Sequence, residues 1–366
     1  MSPPQRSNPF RDRQERLRAL MDARQVPLML VTHLINVRYL TGFTGSAGIL
    51  VVGPRQGILW VDPRYTLQAH DQAQGVEVVE EKKAILKAAA SWLGKNRGRE
   101  VAFEAAHLTV GQFDLLRQEA GPQLSLKPAG DLIEELRVVK DRGEIEAIRG
   151  AGKLTAEVFA ELLPLVRPGA SERDLSAEVE YRMRKKGADG AAFETIVASG
   201  PRAAFPHARP SAKTLKESEL VIFDLGAILD GYAADMTRTV FLGEPNRRVR
   251  KLHSAVLNAQ LGAIRSVQDS TPAREIDSAA RRVLSKHRLA RYFTHSTGHG
   301  VGLEIHERPR LAKAETVCLR SGSVVTVEPG VYLKGFGGIR IEDTVLVGQD
   351  EPEILTPASK DNWIVS

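Results

Sequence analysis

The chain has 366 residues, 42% hydrophobic and 26% charged, which is enough to bury a sizeable core and comfortable for two domains. Its formal net charge of +6 is mild for that length, and the basic groups at 182–186 and 247–251 are not interleaved with aromatic residues, so no nucleic-acid face is expected. The single cysteine, Cys318, excludes an intramolecular disulfide and suits a reducing compartment.

No apolar run approaches the ~20 residues that a spanning helix needs. The first sixteen residues, MSPPQRSNPFRDRQER, lack the apolar core of a secretory signal. A cytoplasmic protein with no membrane partner is therefore expected. Cys318, set in the apolar TVCL, is expected to be a small buried hydrophobe.

Residues 1–8 read as frayed. A helix is expected over 10–24, with Leu17, Leu20 and Met21 on one side. PLMLVT (27–32) reads as a strand, 41–48 as a glycine-containing loop, and AGILVV and GILWVD (57–62) as further strands. Pro63 is placed to open a helix running to about Gln72. EVVE, the helix-like EKKAILKAAASWLGK, EVAFE, LTVGQFDLLRQEA and QLSLKPA continue the alternation. These features predict an α/β N-terminal domain over 1–133 and a second domain over 134–366, joined through the helix-like DLIEELRVVK.

The second half opens with the long helical pattern DRGEIEAIRGAGKLTAEVFAELL, then a capping-box pattern at Ser171 and a helix to about Lys186. ETIVAS reads as a strand and GPRAAFPHARPS as a punctuated loop. Two helices are expected at about 246–268 and 272–288, followed by the strand SVVTVEPGVYL and the hairpin-like GFGGIRIEDTVLV. Helices and antiparallel strands in blocks predict an α+β domain. The two helix-then-strand halves of this domain are weakly similar, which is compatible with pseudo-symmetry.

The stretch 221–235, VIFDLGAILDGYAAD, organises this half. It reads as two strands joined at Asp230-Gly231, each carrying one aspartate in an apolar run. A hairpin sets Asp224 and Asp235 on one face, nearly opposite each other. Unpaired facing carboxylates repel and are costly to desolvate, and a cation between them removes that cost. Three further candidate ligands follow: His299 between glycines in TGHGVG, Glu328 in VVTVEPG and Glu342 in GIRIEDTVLV. Taken singly, each acid reads as salt-bridged or solvent-facing, with Arg340 a simple partner for Glu342. Together, four carboxylates and one imidazole in apolar strands or glycine turns make a poor accidental core. Two divalent cations would neutralise the four carboxylates. The oxygen-rich, thiolate-free set suits Mn²⁺ and admits Co²⁺, Fe²⁺ or Zn²⁺. Paired metals hold a hydroxide nucleophile and polarise a carbonyl. His207, His295 and His306 are candidates for binding an oxyanion or moving a proton. His33, His70, His107, His253 and His287 have no such context and read as structural or surface residues.

The succession FPHARP, DLGAILDGYAADMTRTV, HSTGHGVGLEIHE, TVEPGVY and GIRIED resembles the pita-bread metallopeptidases, in the branch of Xaa-Pro aminopeptidase (aminopeptidase P) and prolidase. RYLTGFTGSAG and VDPRYTLQA resemble the creatinase-type N-terminal domain of the same enzymes. The resemblance implies a pita-bread catalytic domain and metal ligands at Asp224, Asp235, His299, Glu328 and Glu342. A metal-bridging hydroxide would attack the scissile carbonyl. It further implies catalytic roles for His207 and His306, which would bind substrate and stabilise the tetrahedral intermediate, and a proline site lined by His295. Tyr332 and Arg340 would contact substrate, and the chain would form a homodimer. The implied substrates are proline-containing peptides, whose Xaa-Pro bond lacks an N–H.

Two substrate readings stay open. An Xaa-Pro aminopeptidase is favoured here over a prolidase restricted to Xaa-Pro dipeptides. They differ in whether a charged group grips the free carboxylate of proline. Arg202 and Arg209 either do so or face water. A non-catalytic binding protein on this fold would be expected to lack the ligands, and all five are present.

Overall fold

The computed structural model describes residues 8–95 and 100–365. The chain divides into two compact units, Met1–Arg137 and Val138–Ser366. The reading of residues 1–7 as frayed lies outside the described residues. Asn8 is ordered as the N-cap of the first helix, where its side chain accepts from the amides of Phe10 and Arg11.

In the first unit the elements are α1 (Pro9–Ala23), β1 (Leu28–Val31), α2 (Leu34–Thr41), β2 (Ile49–Val52), β3 (Gly57–Val61), α3 (Thr66–Gln72), β4 (Glu77–Glu80), α4 (Ile85–Lys95), β5 (Glu100–Phe103), α5 (Val110–Ala120), β6 (Ser125–Pro128) and α6 (Leu132–Arg137). They build one sheet of order β4-β3-β2-β1-β5-β6. β1 runs antiparallel to β2 and parallel to β5, and β5 runs parallel to β6. Alternate residues Leu28, Leu30, Ile49 and Val51 pack with Leu86, Leu93 and Leu116 of α4 and α5. β1, β2 and β3 are buried along their whole length, which is why their sequences are apolar runs without alternation. Helix α2 was not expected. It occupies residues that the glycine-loop reading passed over and ends at Gly42, whose φ of 85° admits the left-handed cap that returns its amide to Arg38 O.

The second unit contains α7 (Arg142–Leu162), α8 (Glu172–Lys185), β7 (Gly190–Ala191), β8 (Ile196–Ser199), β9 (Leu220–Leu225), β10 (Ala227–Leu229), β11 (Tyr232–Ala233), β12 (Met236–Leu242), α9 (Arg247–Ile264), α10 (Ala273–Lys286), β13 (Gly298–Gly300), β14 (Glu307–Leu311), β15 (Val324–Val327), β16 (Gly330–Leu333), β17 (Gly337–Arg340), β18 (Asp343–Leu346), β19 (Glu353–Ile354) and β20 (Ile364–Val365). A sheet of order β20-β12-β9-β8 packs on α7 and α8 through Val221, Phe223, Leu225, Phe159 and Val179. A second sheet, β14-β13-β15-β18-β19, packs on α9 and α10 through Val325, Val327, Val256 and Ile276. The first unit is α/β and the second α+β, as the pattern of elements led one to expect.

Three details differ from the sequence reading. SVVTVEPGVYL is two strands, β15 and β16, broken at Glu328-Pro329, because Pro329 has no N–H for a ladder. GFGGIRIEDTVLV is not a hairpin: β17 pairs with β16 and β18 with β15, in separate sheets. Cys318 is exposed, since its segment turns Leu319 inward and bridges Pro272 at the start of α10.

Among the described residues no helix is long and apolar enough to cross a membrane. Phe223 is fully buried on the strand that carries Asp224, with its ring 5.9 Å from that of Phe159. Phe223→Ala is expected to lower the stability of the second unit by about 3–5 kcal/mol. Denaturant unfolding followed by circular dichroism reads this directly, and a loss under about 1 kcal/mol would contradict the packing.

Candidate metal centre

The site is assembled at interruptions in strands. In the β9–β12 ladder Asp224 is paired with Thr237. Asp235, two residues before Thr237, is therefore the diagonal neighbour of Asp224 and not its direct opposite. The connection turns at Asp230 and Gly231, with φ of 49° and 76°, the backbone a two-residue hairpin turn requires. Gly226 interrupts β9–β10 because the carbonyl of Ala234 lies 2.0 Å from where a Cβ would stand. Glu328 occupies the break between β15 and β16, and Glu342 the break between β17 and β18. A carboxylate at a strand break leaves the regular pleat and can turn toward its counterparts without losing a ladder position.

Threonines fix the segments that carry these side chains, and one of them binds a carboxylate directly. Thr237 Oγ1 donates to Glu342 Oε2 at 2.6 Å, and its carbonyl accepts the Glu342 amide at 3.0 Å. Thr344 Oγ1 receives the Asp235 amide at 3.0 Å and donates to the Asp235 carbonyl at 2.8 Å. The Glu328 amide donates to Thr297 O at 2.7 Å, and the His299 amide to Thr326 Oγ1 at 3.1 Å. The glycines beside His299 are required by neighbouring strands. A Cβ at Gly298 would lie 1.9 Å from Thr326 O, and one at Gly300 would lie 2.1 Å from Arg308 O.

Asp235, His299 and Glu342 offer ligand atoms within 4.8 Å of one another. His299 Nε2 is 3.6 Å from Asp235 Oδ2 and 3.8 Å from Glu328 Oε1. Its Nδ1–H donates to Gly300 O at 3.0 Å, which leaves the Nε2 lone pair toward the carboxylates. Asp224 joins the group through Arg340, whose Nη2 is 2.6 Å from Asp224 Oδ2. The simple Arg340–Glu342 pair suggested by the sequence is thus replaced by an Arg340–Asp224 pair. Oδ1 of Asp224 and Oδ1 of Asp235 are buried without a hydrogen bond.

The electrostatics follow from crowding negative charge out of water. Burial pushes Asp235 and Glu342 well above the carboxylate range, with neighbouring acids adding to it, and burial raises Glu328 to about 8. Burial lowers His299 to about 4, so its imidazole is neutral. Two orphaned buried oxygens, four converging acids and a neutral imidazole fit divalent cations held by oxygen with one nitrogen. Asp224, Asp235, His299, Glu328 and Glu342 are the residues that would hold them.

The other candidates surround this group. Arg340 Nη1 donates to Tyr332 Oη at 2.8 Å, and Tyr332 Oη lies 2.9 Å from His295 Nε2. His295 Nδ1–H is committed to Ser296 O at 2.8 Å, so Tyr332 donates to His295. Burial lowers His295 to about 4 and raises Tyr332 to about 12. The ring of His306 is 4.3 Å from that of His299. Partial desolvation of its ring is the first cause that lowers His306, and the charge of His207 adds to it. His207 and His306 are exposed. Arg340 Nη1 also holds the carbonyl of Pro206, next to His207, at 3.1 Å.

One residue escaped the sequence reading. Arg310 in β14 is the cross-strand partner of His299 in β13, and such partners share a sheet face. It is exposed, and its charge lowers both His299 and His306. Of the two arginines considered earlier, Arg202 is committed to Glu172 at 3.0 Å, and Arg209 pairs with exposed Glu194 at 3.2 Å.

A family model described as Metallopeptidase family M24 matches residues 146–349, and one described as Creatinase/Prolidase N-terminal domain matches residues 13–139. The chain is 34% identical over 343 residues to an Xaa-Pro dipeptidase of Pyrococcus horikoshii, covering 93% of this chain and 95% of that protein. Among solved structures, an Xaa-Pro dipeptidase from Bacillus anthracis superposes with a TM-score of 0.93 at 35% identity, over 97% of this chain and 100% of that one. The X-Pro aminopeptidase of Thermotoga maritima gives 0.89 at 34%, over 97% and 100%.

These shifts give metal-dependent stability a sign. Glu328 is raised from 4.5 to about 8, so its contribution to the metal-free fold is full below 4.5 and is lost as pH rises through 8. His299, lowered from 6.5 to about 4, contributes stability that is lost only as pH falls through that interval. Between pH 6.5 and 8 the carboxyls alone act. The thermal midpoint of the metal-free protein is expected to fall over that window, and added Mn²⁺ to raise it more at pH 8 than at pH 6.5. Equal shifts at both pH values, by scanning calorimetry, would contradict this.

Proposed function

Because the chain belongs to metallopeptidase family M24, we propose that it is a dinuclear-metal Xaa-Pro dipeptidase that releases the residue preceding a carboxyl-terminal proline. Asp224, Asp235, His299, Glu328 and Glu342 are proposed to hold the two divalent ions, Mn²⁺ being the first choice for an oxygen-rich set. When bound, such ions activate water and polarise the scissile carbonyl as Lewis acids.

The observation that carries the dipeptidase reading over the aminopeptidase favoured by sequence is Arg310. A substrate ending in proline has a free carboxylate, whereas a longer peptide has an amide there. Arg310 stands across the strand from His299, is exposed, and makes no ion pair among the described residues. A guanidinium so placed is suited to a carboxylate. The names of the relatives from Pyrococcus horikoshii and Bacillus anthracis support the same reading. The Thermotoga maritima structure keeps the aminopeptidase as the second reading.

The remaining residues divide the work. His306, whose ring lies 4.3 Å from that of His299, and exposed His207 are proposed to donate an N–H to negative charge developing on the carbonyl oxygen. His295 and Tyr332 form a wall of two rings 5.5 Å apart, suited to a small ring without an N–H to satisfy. Arg340 braces three parts at once: Asp224, the Tyr332 hydroxyl and the backbone beside His207.

The test is hydrolysis of Ala-Pro and Ala-Pro-Ala side by side, with Mn²⁺ and with chelator. Metal-dependent cleavage of the dipeptide alone is expected. Release of Pro-Ala from the tripeptide would overturn the dipeptidase reading in favour of the aminopeptidase. Arg310→Ala should raise KM for Ala-Pro about 10- to 150-fold, the equivalent of about 1.5–3 kcal/mol for a hydrogen bond to a charged group, with a smaller effect on kcat. An unchanged KM would remove Arg310 from the site.

A further inference from the structure

We infer that the first unit carries its own site for a borderline divalent cation such as Zn²⁺, formed by His33, His107 and Glu134 at the carboxyl edge of β1 and β5. The inference is independent of the proposed peptidase activity. The ligand atoms of these three residues lie within 4.8 Å of one another.

Topology brings them there. β1 and β5 are parallel neighbours, with Leu28 opposite Val101 and Leu30 opposite Phe103, so both strands end at the same edge of the sheet. From β1 the chain leaves through α2 to β2 on one side. From β5 it leaves through α5 to β6 on the other. Where connections diverge in this way, an open α/β sheet leaves a crevice at its carboxyl ends, the usual place for a ligand. His33 follows β1, His107 follows β5, and α6 supplies Glu134.

All three positions are held from behind. Glu104, buried at the end of β5, accepts the amides of Thr32 at 2.6 Å and His33 at 2.8 Å, and its carbonyl accepts the amide of His107 at 3.1 Å. One carboxyl-bearing residue thus fixes the backbone of both histidines. Asn36 links Glu104 to the third ligand: its Nδ2 donates to Glu104 Oε1 at 2.7 Å and to Glu134 Oε1 at 2.6 Å. Asn36 Oδ1 is itself set by Arg137 Nη1 at 2.8 Å. Outer partners that orient ligands in this manner are the usual companions of a metal site.

The two imidazoles are stacked, with ring centroids 3.6 Å apart and planes 6° from parallel. Imidazole lone pairs lie in the ring plane, so two rings stacked face to face must splay to aim both at one ion. His107 is exposed and has room to make that rotation. Two nitrogens and a carboxylate oxygen select Zn²⁺, Co²⁺ or Ni²⁺ over Mg²⁺ or Ca²⁺. The bound ion would staple together the β1–α2 junction, the β5–α5 loop and α6.

The test uses the full chain and Zn²⁺ alone as probe, in a variant whose second-unit cluster is removed by Asp224→Ala, Asp235→Ala, His299→Ala, Glu328→Ala and Glu342→Ala. Equilibrium dialysis with elemental analysis is expected to find about one equivalent of zinc retained, and to find it lost on adding His107→Ala or His33→Ala. Zinc retention that those additions leave unchanged, or no retention at all, overturns the proposal. Should that variant not fold, the comparison is made between the natural chain and His107→Ala, a surface change. It should bind about one equivalent less, and equal stoichiometry overturns the proposal.

Discussion

The repulsion among four carboxylates drawn out of water is the constraint on which the second unit is built. No fold gathers Asp224, Asp235, Glu328 and Glu342 without a compensating charge, because each acid raises the energy of ionising the next. Arg340 offsets one of them directly through Asp224. Glu342 is held by the Thr237 hydroxyl, which orients its carboxylate without neutralising it, and Asp235 and Glu328 are placed through hydrogen bonds of their own backbones. Orientation without neutralisation is the condition under which a divalent cation gains most on entering.

The same constraint explains the strand breaks. Two sheets and a separate pair of strands, β16 with β17, share chain segments that pass from one to another at Glu328 and near Glu342. Each crossing releases one side chain from the pleat and turns it toward the common centre. The Arg340–Tyr332–His295 hydrogen-bond chain then ties that centre to the wall proposed for a proline ring, so the proposed substrate contacts and the proposed metal ligands share one set of bonds.

Much of this was legible along the chain because the chemistry was locally incongruous. An aspartate inside VIFDLGAI, a histidine between two glycines and a glutamate before Pro329 each contradict the environment that the neighbouring residues demand. What stayed hidden depended on pairing. Arg310 is an ordinary surface arginine until the β13–β14 register sets it across from His299. Arg340 reads as a partner for Glu342 two residues away, yet its ion pair runs across sheets to Asp224. Asp224 and Asp235 look symmetric about their turn, but the ladder makes them diagonal. His33 and His107 carry no local signal at all. Only the parallel pairing of β1 with β5 brings them together. Helix α2 was lost for the opposite reason, a misleading local signal from the glycines that follow it.

The carboxylate cluster is proposed to hold a pair of divalent cations. Anomalous diffraction from crystals grown with Mn²⁺ tests it most directly. Two anomalous peaks within the cluster, roughly 3.5–4 Å apart, are expected. No peak there, or a single peak that leaves the buried oxygens of Asp224 and Asp235 without a partner, would contradict it.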